Sequence, residues 1–163
     1  MSTETPKPEP LDVPAEYGLS ELGSDHMSLD QVMRRFGDER SWWMVTVRPD
    51  GRPHAVPVWG LLSEGELIFS IDPNSTKAKN IAAGSEIVLH LESGDAVAIV
   101  EGSTQTMTHD ELPAGYGVAY NEKYDVEIDF STPGIAIYKV VPTKVFSWDE
   151  SAFVETAVRW RYR

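Results

Sequence analysis

The residues best suited to chemistry lie at positions 72–80, DPNSTKAKN, where a predicted strand passes into a predicted helix. Asn74 or Ser75 can cap this helix and leave backbone N–H groups free in its first turn. Together with the ammonium groups of Lys77 and Lys79, those N–H groups would attract an anion such as a phosphate. The segment is therefore a candidate phosphate site, and the alternative is an ordinary helix cap next to two solvent-exposed lysines.

The strand predicted over residues 52–59, RPHAVPVW, contains a proline that cannot donate a hydrogen bond to a neighbouring strand. Pro57 therefore predicts a sheet edge, a bulge, or a place where a ligand lies against the backbone. Alternation places His54, Val56 and Val58 on one face of this strand and Pro57 on the other. A flat ligand could lie along such a strand, with its phosphate at the loop that precedes the helix.

Other catalytic arrangements find no support in the sequence. The histidines at positions 26, 54, 90 and 109 stand in separate elements without metal-ligand spacing, so no metal site is predicted. There is no G-x-S-x-G nucleophile elbow, no G-x-x-x-x-G-K-[ST] phosphate loop and no G-x-G-x-x-G dinucleotide motif. This pattern fits an enzyme whose chemistry belongs to a bound cofactor.

Composition bounds the class of protein. A chain of 163 residues with 41% hydrophobic residues suits one globular domain. The lack of cysteine excludes disulfides and fits a reducing cytoplasm. No apolar run approaches the roughly 18 residues of a membrane span, and the net charge of -12 argues against binding to nucleic acid or to an anionic membrane. We therefore expect a cytoplasmic protein that binds a small molecule.

The chain divides into a tail and one domain. Residues 1–24 are rich in proline, acidic and small residues, a composition that predicts a flexible tail, which we expect to pack on a partner subunit. Residues 25–163 form the predicted domain. It begins with a helix that Ser28 caps, with Gln31 in the capping-box position and Gly37 at its end.

Apolar runs predict six or seven antiparallel strands, over residues 41–47, 52–59, 66–71, 86–92, 96–108, 135–141 and 144–148. The dipeptides Asp50-Gly51 and Glu64-Gly65 are hairpin turns, and the strands over 52–59 and 66–71 are expected to pair as a hairpin. Pro142 separates the last two strands. With two or three short helices, these strands predict a mainly β protein built as a small antiparallel barrel, because closure removes exposed strand edges.

Two further segments have a predicted packing role. Residues 109–123 form a weak helical region, and the spacing of Tyr116, Tyr120 and Tyr124 predicts one helical face that packs on the barrel. Residues 153–163 alternate arginine with apolar residues, which predicts a terminal strand or an extended arm. An arginine cluster for an anionic ligand is the alternative interpretation of that second segment.

The runs GRPHAVPVWG, GELIFSIDPNSTKAKNIA and IVEG, in this order, resemble the flavin and deazaflavin oxidoreductases of the pyridoxamine 5′-phosphate oxidase-like split-barrel superfamily. The likeness covers about residues 41–163 and is closer to actinobacterial members that use coenzyme F-420, a deazaflavin. It implies a split β-barrel of the FMN-binding type. It also implies a homodimer that holds F-420, or alternatively FMN, in a groove shared by two subunits.

The resemblance implies cofactor-binding residues on three segments. They are His54, Val56, Pro57 and Val58 beside the ring, Ser70 and Ile71 at a strand end, and Ser75, Thr76, Lys77 and Asn80 in the phosphate loop and its helix. It implies no dedicated catalytic side chain. Because His54 stands where the oxidase itself carries an arginine, oxidation of pyridoxamine phosphate is disfavoured.

On this resemblance we expect an oxidoreductase that transfers hydride from F-420 to a small unsaturated or quinone-like substrate. Three alternatives stay open: an FMN-dependent oxidase or reductase of the same fold, a non-catalytic carrier of the cofactor, and a barrel that binds a small molecule without any redox cofactor. Trp59 and Trp148 are expected to be aromatic residues of the barrel wall and not ring-stacking residues.

Overall fold

The computed structural model describes residues 5–162 and shows a mainly antiparallel β protein with short helices, which confirms the predicted fold class. The nine strands among these residues are β1 Pro8–Glu9, β2 Trp42–Val47, β3 Pro53–Val58, β4 Gly60–Ser63, β5 Glu66–Ile71, β6 Ile87–His90, β7 Ala96–Met107, β8 Ala136–Asp149 and β9 Val158–Arg161. The α-helices are α1 Leu29–Asp38, α2 Thr76–Ala82, α3 Tyr116–Tyr124 and α4 Phe153–Thr156. No helix in the described part of the chain is long and apolar enough to cross a membrane.

The main path of the sheet runs β1-β9-β8-β7-β6-β2-β3. Strand β5 leaves this path: it pairs with β4 on one side and with the first part of β8 on the other. Strand β9 pairs with the second part of β8. Because β5 and β9 lie along one edge of the same strand, the sheet is split into two lobes that share β8.

The last long strand is continuous, so the predicted break at Pro142 is wrong. Pro142 lies inside β8 opposite Gly102, where the register with β7 shifts at a bulge between Glu101 and Gly102. A proline needs a position without a ladder hydrogen bond, and the bulge provides one. A side chain at Gly102 would collide with the backbone of Val141, so the close approach of the two strands requires glycine.

The predicted turns are correct, but one predicted pairing is wrong. Residues 50–51 join β2 to β3, and Glu64 and Gly65 join β4 to β5 with positive φ at both positions, as a tight two-residue hairpin turn requires. The hairpin partner of β5 is therefore β4, and β3 pairs with β2. The sequence prediction missed β4 because residues 60–63 follow β3 without a turn signal.

The barrel core and a second cluster lie on opposite sides of the β4–β5 hairpin. The core contains Trp42, Met44 and Phe69, and α1 covers it with Val32 and Phe36. The predicted capping box of α1 is present, while the helix runs one residue past Gly37. The second cluster packs α3 on the hairpin through its three tyrosines, as their spacing predicts. Being covered on both sides explains why the apolar run in β5 is almost entirely buried.

The segment predicted to be a flexible tail lies against the barrel from residue 5 onward. Pro8 and Glu9 pair with β9, the side chain of Leu19 is buried, and Glu9 lies 3.4 Å from the guanidinium of Arg159. The composition did not indicate the strand pairing or the contact with Arg159, since both depend on β9 as a partner. Residues 159–161 lie in β9, which confirms the predicted terminal strand.

The hydroxyl of Tyr124 binds the backbone at the junction between β3 and β4. It accepts a hydrogen bond from the backbone N–H of Gly60 and donates one to the carbonyl of Gly60, both at 2.8 Å. A side chain at Gly60 would lie 2.5 Å from the ring of Trp42, so this junction also requires glycine.

We expect Tyr124→Phe to lower the free energy of unfolding by about 1–3 kcal/mol, because it leaves the buried N–H and carbonyl of Gly60 without a partner. Denaturant unfolding followed by circular dichroism measures this change. Tyr17→Phe is the matched control, since Tyr17 is exposed. A loss for Tyr124→Phe no larger than that of the control would contradict the assignment.

Candidate functional site

A pocket of about 260 Å³ lies in the gap between the end of β3 and the end of β5. It is lined by Pro57, Val58, Trp59, Ser70, Ile71, Lys77 and Tyr120. The structure thus brings together five of the ten residues predicted to bind a cofactor, from two strands and one helix. Sequence reasoning did not assign Trp59 and Tyr120 to the site.

Strand β3 supplies one wall of the pocket and is an edge of the sheet, as Pro57 predicted. Within the described residues β3 pairs with β2 alone, and Pro57 lies opposite Trp43. Exposure alternates along the strand: Pro57 is exposed, whereas Val58 is buried and His54 and Val56 are half-buried. The predicted alternation is correct. The edge of β3 that faces away from β2 has no strand partner among residues 5–162, so a ligand can lie along it.

Three groups that carry or can gain a positive charge interact with one another: Arg48, His54 and Lys77, of which Lys77 lines the pocket. Burial lowers the pKa of His54 below its ordinary value, and the charges of Arg48 and Lys77 lower it further. The Nδ1 atom of His54 is buried and has no hydrogen-bond partner among residues 5–162. An anion beside Arg48 and Lys77 would reduce the repulsion between their charges and would favour the protonated form of His54.

Arg48 was not predicted, although the sequence carried a signal for it. The Asp50-Gly51 turn sets the register of the hairpin, so Thr46 pairs with His54, and the backbone N–H of Arg48 donates to the carbonyl of Arg52. That register places Arg48 on the same face as His54. Arg52 instead forms an exposed ion pair with Asp50 at 2.8 Å.

The start of α2 is an ordinary capped helix in the structure. The hydroxyl of Ser75 accepts a hydrogen bond from the backbone N–H of Ala78 at 3.3 Å, so Ser75 and not Asn74 is the cap. Thr76 is exposed, and neither Ser75 nor Thr76 lines the pocket. Their contact with a cofactor stays a prediction.

The two lysines of α2 differ in position. Lys77 is half-buried and lines the pocket, whereas Lys79 is exposed and is not among the lining residues. Asn80 is fully buried, and its amide donates to the hydroxyl of Thr46 at 2.9 Å. The structure therefore gives Asn80 a packing role between α2 and β2 and does not bring it to the pocket.

The tyrosines of α3 reach the β4–β5 hairpin through their hydroxyls, and the middle one reaches the pocket. Tyr116 donates to the carbonyl of Ile68 at 3.2 Å, and Ser70 donates to the hydroxyl of Tyr120 at 3.4 Å. Burial raises the pKa of Tyr120, so its phenol is neutral and retains a proton at neutral pH. The four-residue spacing identified the face but not which tyrosine meets the pocket.

The comparisons with known proteins agree with this architecture. The sequence profile of the pyridoxamine 5′-phosphate oxidase family matches residues 29–149. The chain belongs to this family. The predicted superfamily is thereby confirmed, whereas a search of curated protein sequences gives no match.

Three solved structures illustrate the shared fold. The conserved hypothetical protein Rv2991 from Mycobacterium tuberculosis is 22% identical, with a TM-score of 0.64 over 80% of this chain and 91% of that chain. An F420 reductase is also 22% identical, with a TM-score of 0.56 over 73% and 96%. General stress protein 26 from Bacillus anthracis is 17% identical, with a TM-score of 0.57 over 74% and 94%. At these identities the likeness establishes the fold alone.

We expect Lys77→Met to raise the pKa of His54, because it removes a positive charge that disfavours the imidazolium form. An NMR titration of the His54 ring protons measures the change. Lys79→Met removes the same charge from the exposed side of α2 and is the matched control. Equal shifts of the His54 pKa in both variants would contradict the proximity of Lys77 and His54.

Proposed function

We propose that the pocket between β3 and β5 binds coenzyme F-420 and that the protein is an oxidoreductase acting on a small unsaturated or quinone-like substrate. When bound, the deazaflavin ring supplies the hydride. The observation that carries the proposal is the position of Lys77, which lines the same pocket as the predicted ring-binding strand segment at Pro57 and Val58.

The residues beside the pocket fit the phosphate of such a cofactor. A phosphate oxygen can accept a hydrogen bond from a histidine nitrogen, and the Nδ1 atom of His54 has no hydrogen-bond partner in the described part of the chain. Arg48 and Lys77 add charge-assisted donors. In a chain of net charge -12, such a local group of cations has a specific use, because it attracts an anion that the rest of the surface repels.

The preference for F-420 over FMN has two supports. One is the likeness of the runs PHAVPVWG and VRWRY to the F-420-using branch. The other is the F420 reductase among the proteins of similar fold. FMN is the alternative cofactor, because its phosphate can form the same hydrogen bonds with Lys77 and His54. A non-catalytic carrier is the alternative role, and it predicts binding of the cofactor without turnover.

Tyr120 is the side chain placed to meet a substrate on the ring. Its hydroxyl accepts a hydrogen bond from Ser70, which leaves its own proton available to a carbonyl oxygen in the pocket. A neutral phenol donates without carrying a charge into the site. This geometry supports a substrate that carries a hydrogen-bond acceptor next to its unsaturated bond.

Lys77→Ala should weaken cofactor binding by about 1.5–3 kcal/mol, the scale of a charge-assisted hydrogen bond. Calorimetric titration of F-420 and of FMN into the apo-protein, at one fixed salt concentration, measures the loss and tells the two cofactors apart. Lys79→Ala is the matched control and should bind like the wild type, since Lys79 is exposed outside the pocket. Tight FMN with weak F-420 would favour the flavin alternative. Failure of the wild type to bind either would refute the proposal.

The proposal includes a homodimer in the cytoplasm, formed through the outer face of the main sheet. Register places Trp43, His90, Ile99 and Phe146 in one row across four strands of this face, with Trp43 stacked on His90 at 6.4 Å. The next row places the half-buried Val45 and Val88 beside the ion pair of Glu101 and Lys144. A face of this kind is typical of subunit contacts. Pro57 belongs to the same face and to the pocket, so a second copy seated there would border the cofactor.

Trp43→Glu should convert the dimer to a monomer, because it buries a charge in the centre of the apolar face. Analytical ultracentrifugation at micromolar concentration measures the change in mass. Val118→Glu is the control, since Val118 is an exposed apolar residue on α3, away from this face. A wild-type protein that sediments as a monomer would refute the proposed dimer. That result would leave the proposed cofactor binding to be judged by calorimetry.

A further inference from the structure

Trp59 lines the pocket and has one ring face covered by a second aromatic ring. Its indole is stacked on the ring of Tyr124, with centroids 4.4 Å apart and an angle of 6° between the planes. The residue is nonetheless half-buried and lines the pocket. Trp59 also packs against the second cluster, which agrees with the predicted position in the barrel wall.

The stack is held rigidly. Tyr124 is buried and fixed by its two hydrogen bonds to Gly60, the residue that follows Trp59. The guanidinium carbon of Arg40 lies 5.5 Å from the Trp59 ring centre and 5.7 Å from that of Tyr124. Because these distances are nearly equal and the two rings are parallel, Arg40 lies beside the stack and not over the second face of Trp59.

We infer that Trp59 is a stacking platform for a planar conjugated ring that carries carbonyl oxygens. The electron-rich face of an indole stacks well on an electron-poor ring, and a platform that is already fixed loses little conformational entropy on binding. Arg40 at the edge of the platform can attract a carbonyl oxygen of that ring. The inference rests on the proposed function for the pocket, and both the cofactor ring and a quinone-like substrate have this chemistry.

The test compares Trp59→Leu, Trp59→Phe and Trp148→Leu with the wild type. The probes are F-420, FMN and menadione, a planar quinone, titrated by calorimetry into apo-protein and into cofactor-loaded protein. We expect Trp59→Leu to weaken binding of the stacked ring about tenfold, and Trp59→Phe to restore most of it because phenylalanine keeps a stacking face. Trp148→Leu is the control, since Trp148 contacts Phe153 and Glu150 away from this pocket.

Thermal unfolding by circular dichroism checks that each variant is folded. If Trp59→Leu does not fold, the difference in indole fluorescence between the wild type and Trp59→Phe isolates Trp59, and ring binding must quench it. Weaker binding of F-420 or FMN to the apo-variant would identify the cofactor as the stacked ring. Weaker binding of menadione alone, to loaded protein, would identify the substrate.

The pattern of binding separates this inference from the proposed function. If the variants bind all three probes as the wild type does, the platform is refuted while cofactor binding stands. If the wild type binds neither cofactor, the proposed function fails, and menadione binding that depends on Trp59 would still support the platform. If menadione does not bind either, the platform is refuted as well.

Discussion

Strand β8 shares its hydrogen-bonding groups among three neighbours, and the site depends on how they are divided. One edge pairs with β7 along the whole strand, and the other pairs with β5 over residues 136–139 and with β9 over residues 144–147. A strand edge offers one row of N–H and C=O groups, so β5 and β9 cannot both extend along it. Strand β5 therefore departs from the main sheet, and its far end approaches the free edge of β3.

The pocket lies at this departure, where the path from β3 to β4 passes through Trp59 and Gly60. Glycine is needed there because the ring of Trp42 and the carbonyl of Ile68 leave no room for a side chain. The same tight junction directs Trp59 onto Tyr124. A constraint of backbone packing thus places an aromatic residue in the lining of the pocket.

Electrostatics distinguish the site from the rest of an acidic protein. The chain carries a net charge of -12, yet Arg48 and Lys77 both lower the pKa of His54, and Lys77 lines the pocket. Salt limits the reach of exposed charges to about 8–10 Å. The field at the pocket is therefore set by its own neighbours, and the surrounding carboxylates have little influence on an anion bound there.

The sequence by itself determined the β-rich fold class, the two tight turns, the capped helix α1 and the family, because these depend on residues close together in the chain or on short motifs. It also located Pro57, Val58 and Lys77, which lie in such motifs. It did not determine that β5 pairs with β4, because β4 follows β3 without a turn signal, although β4 and β5 are neighbours in sequence. Only tertiary structure decided that Pro142 lies inside a continuous strand, that Asn80 is buried, and that Trp59 and Tyr120 line one pocket. Each of these three points depends on contacts between segments distant in sequence, whose pairing follows from the packing of the whole barrel.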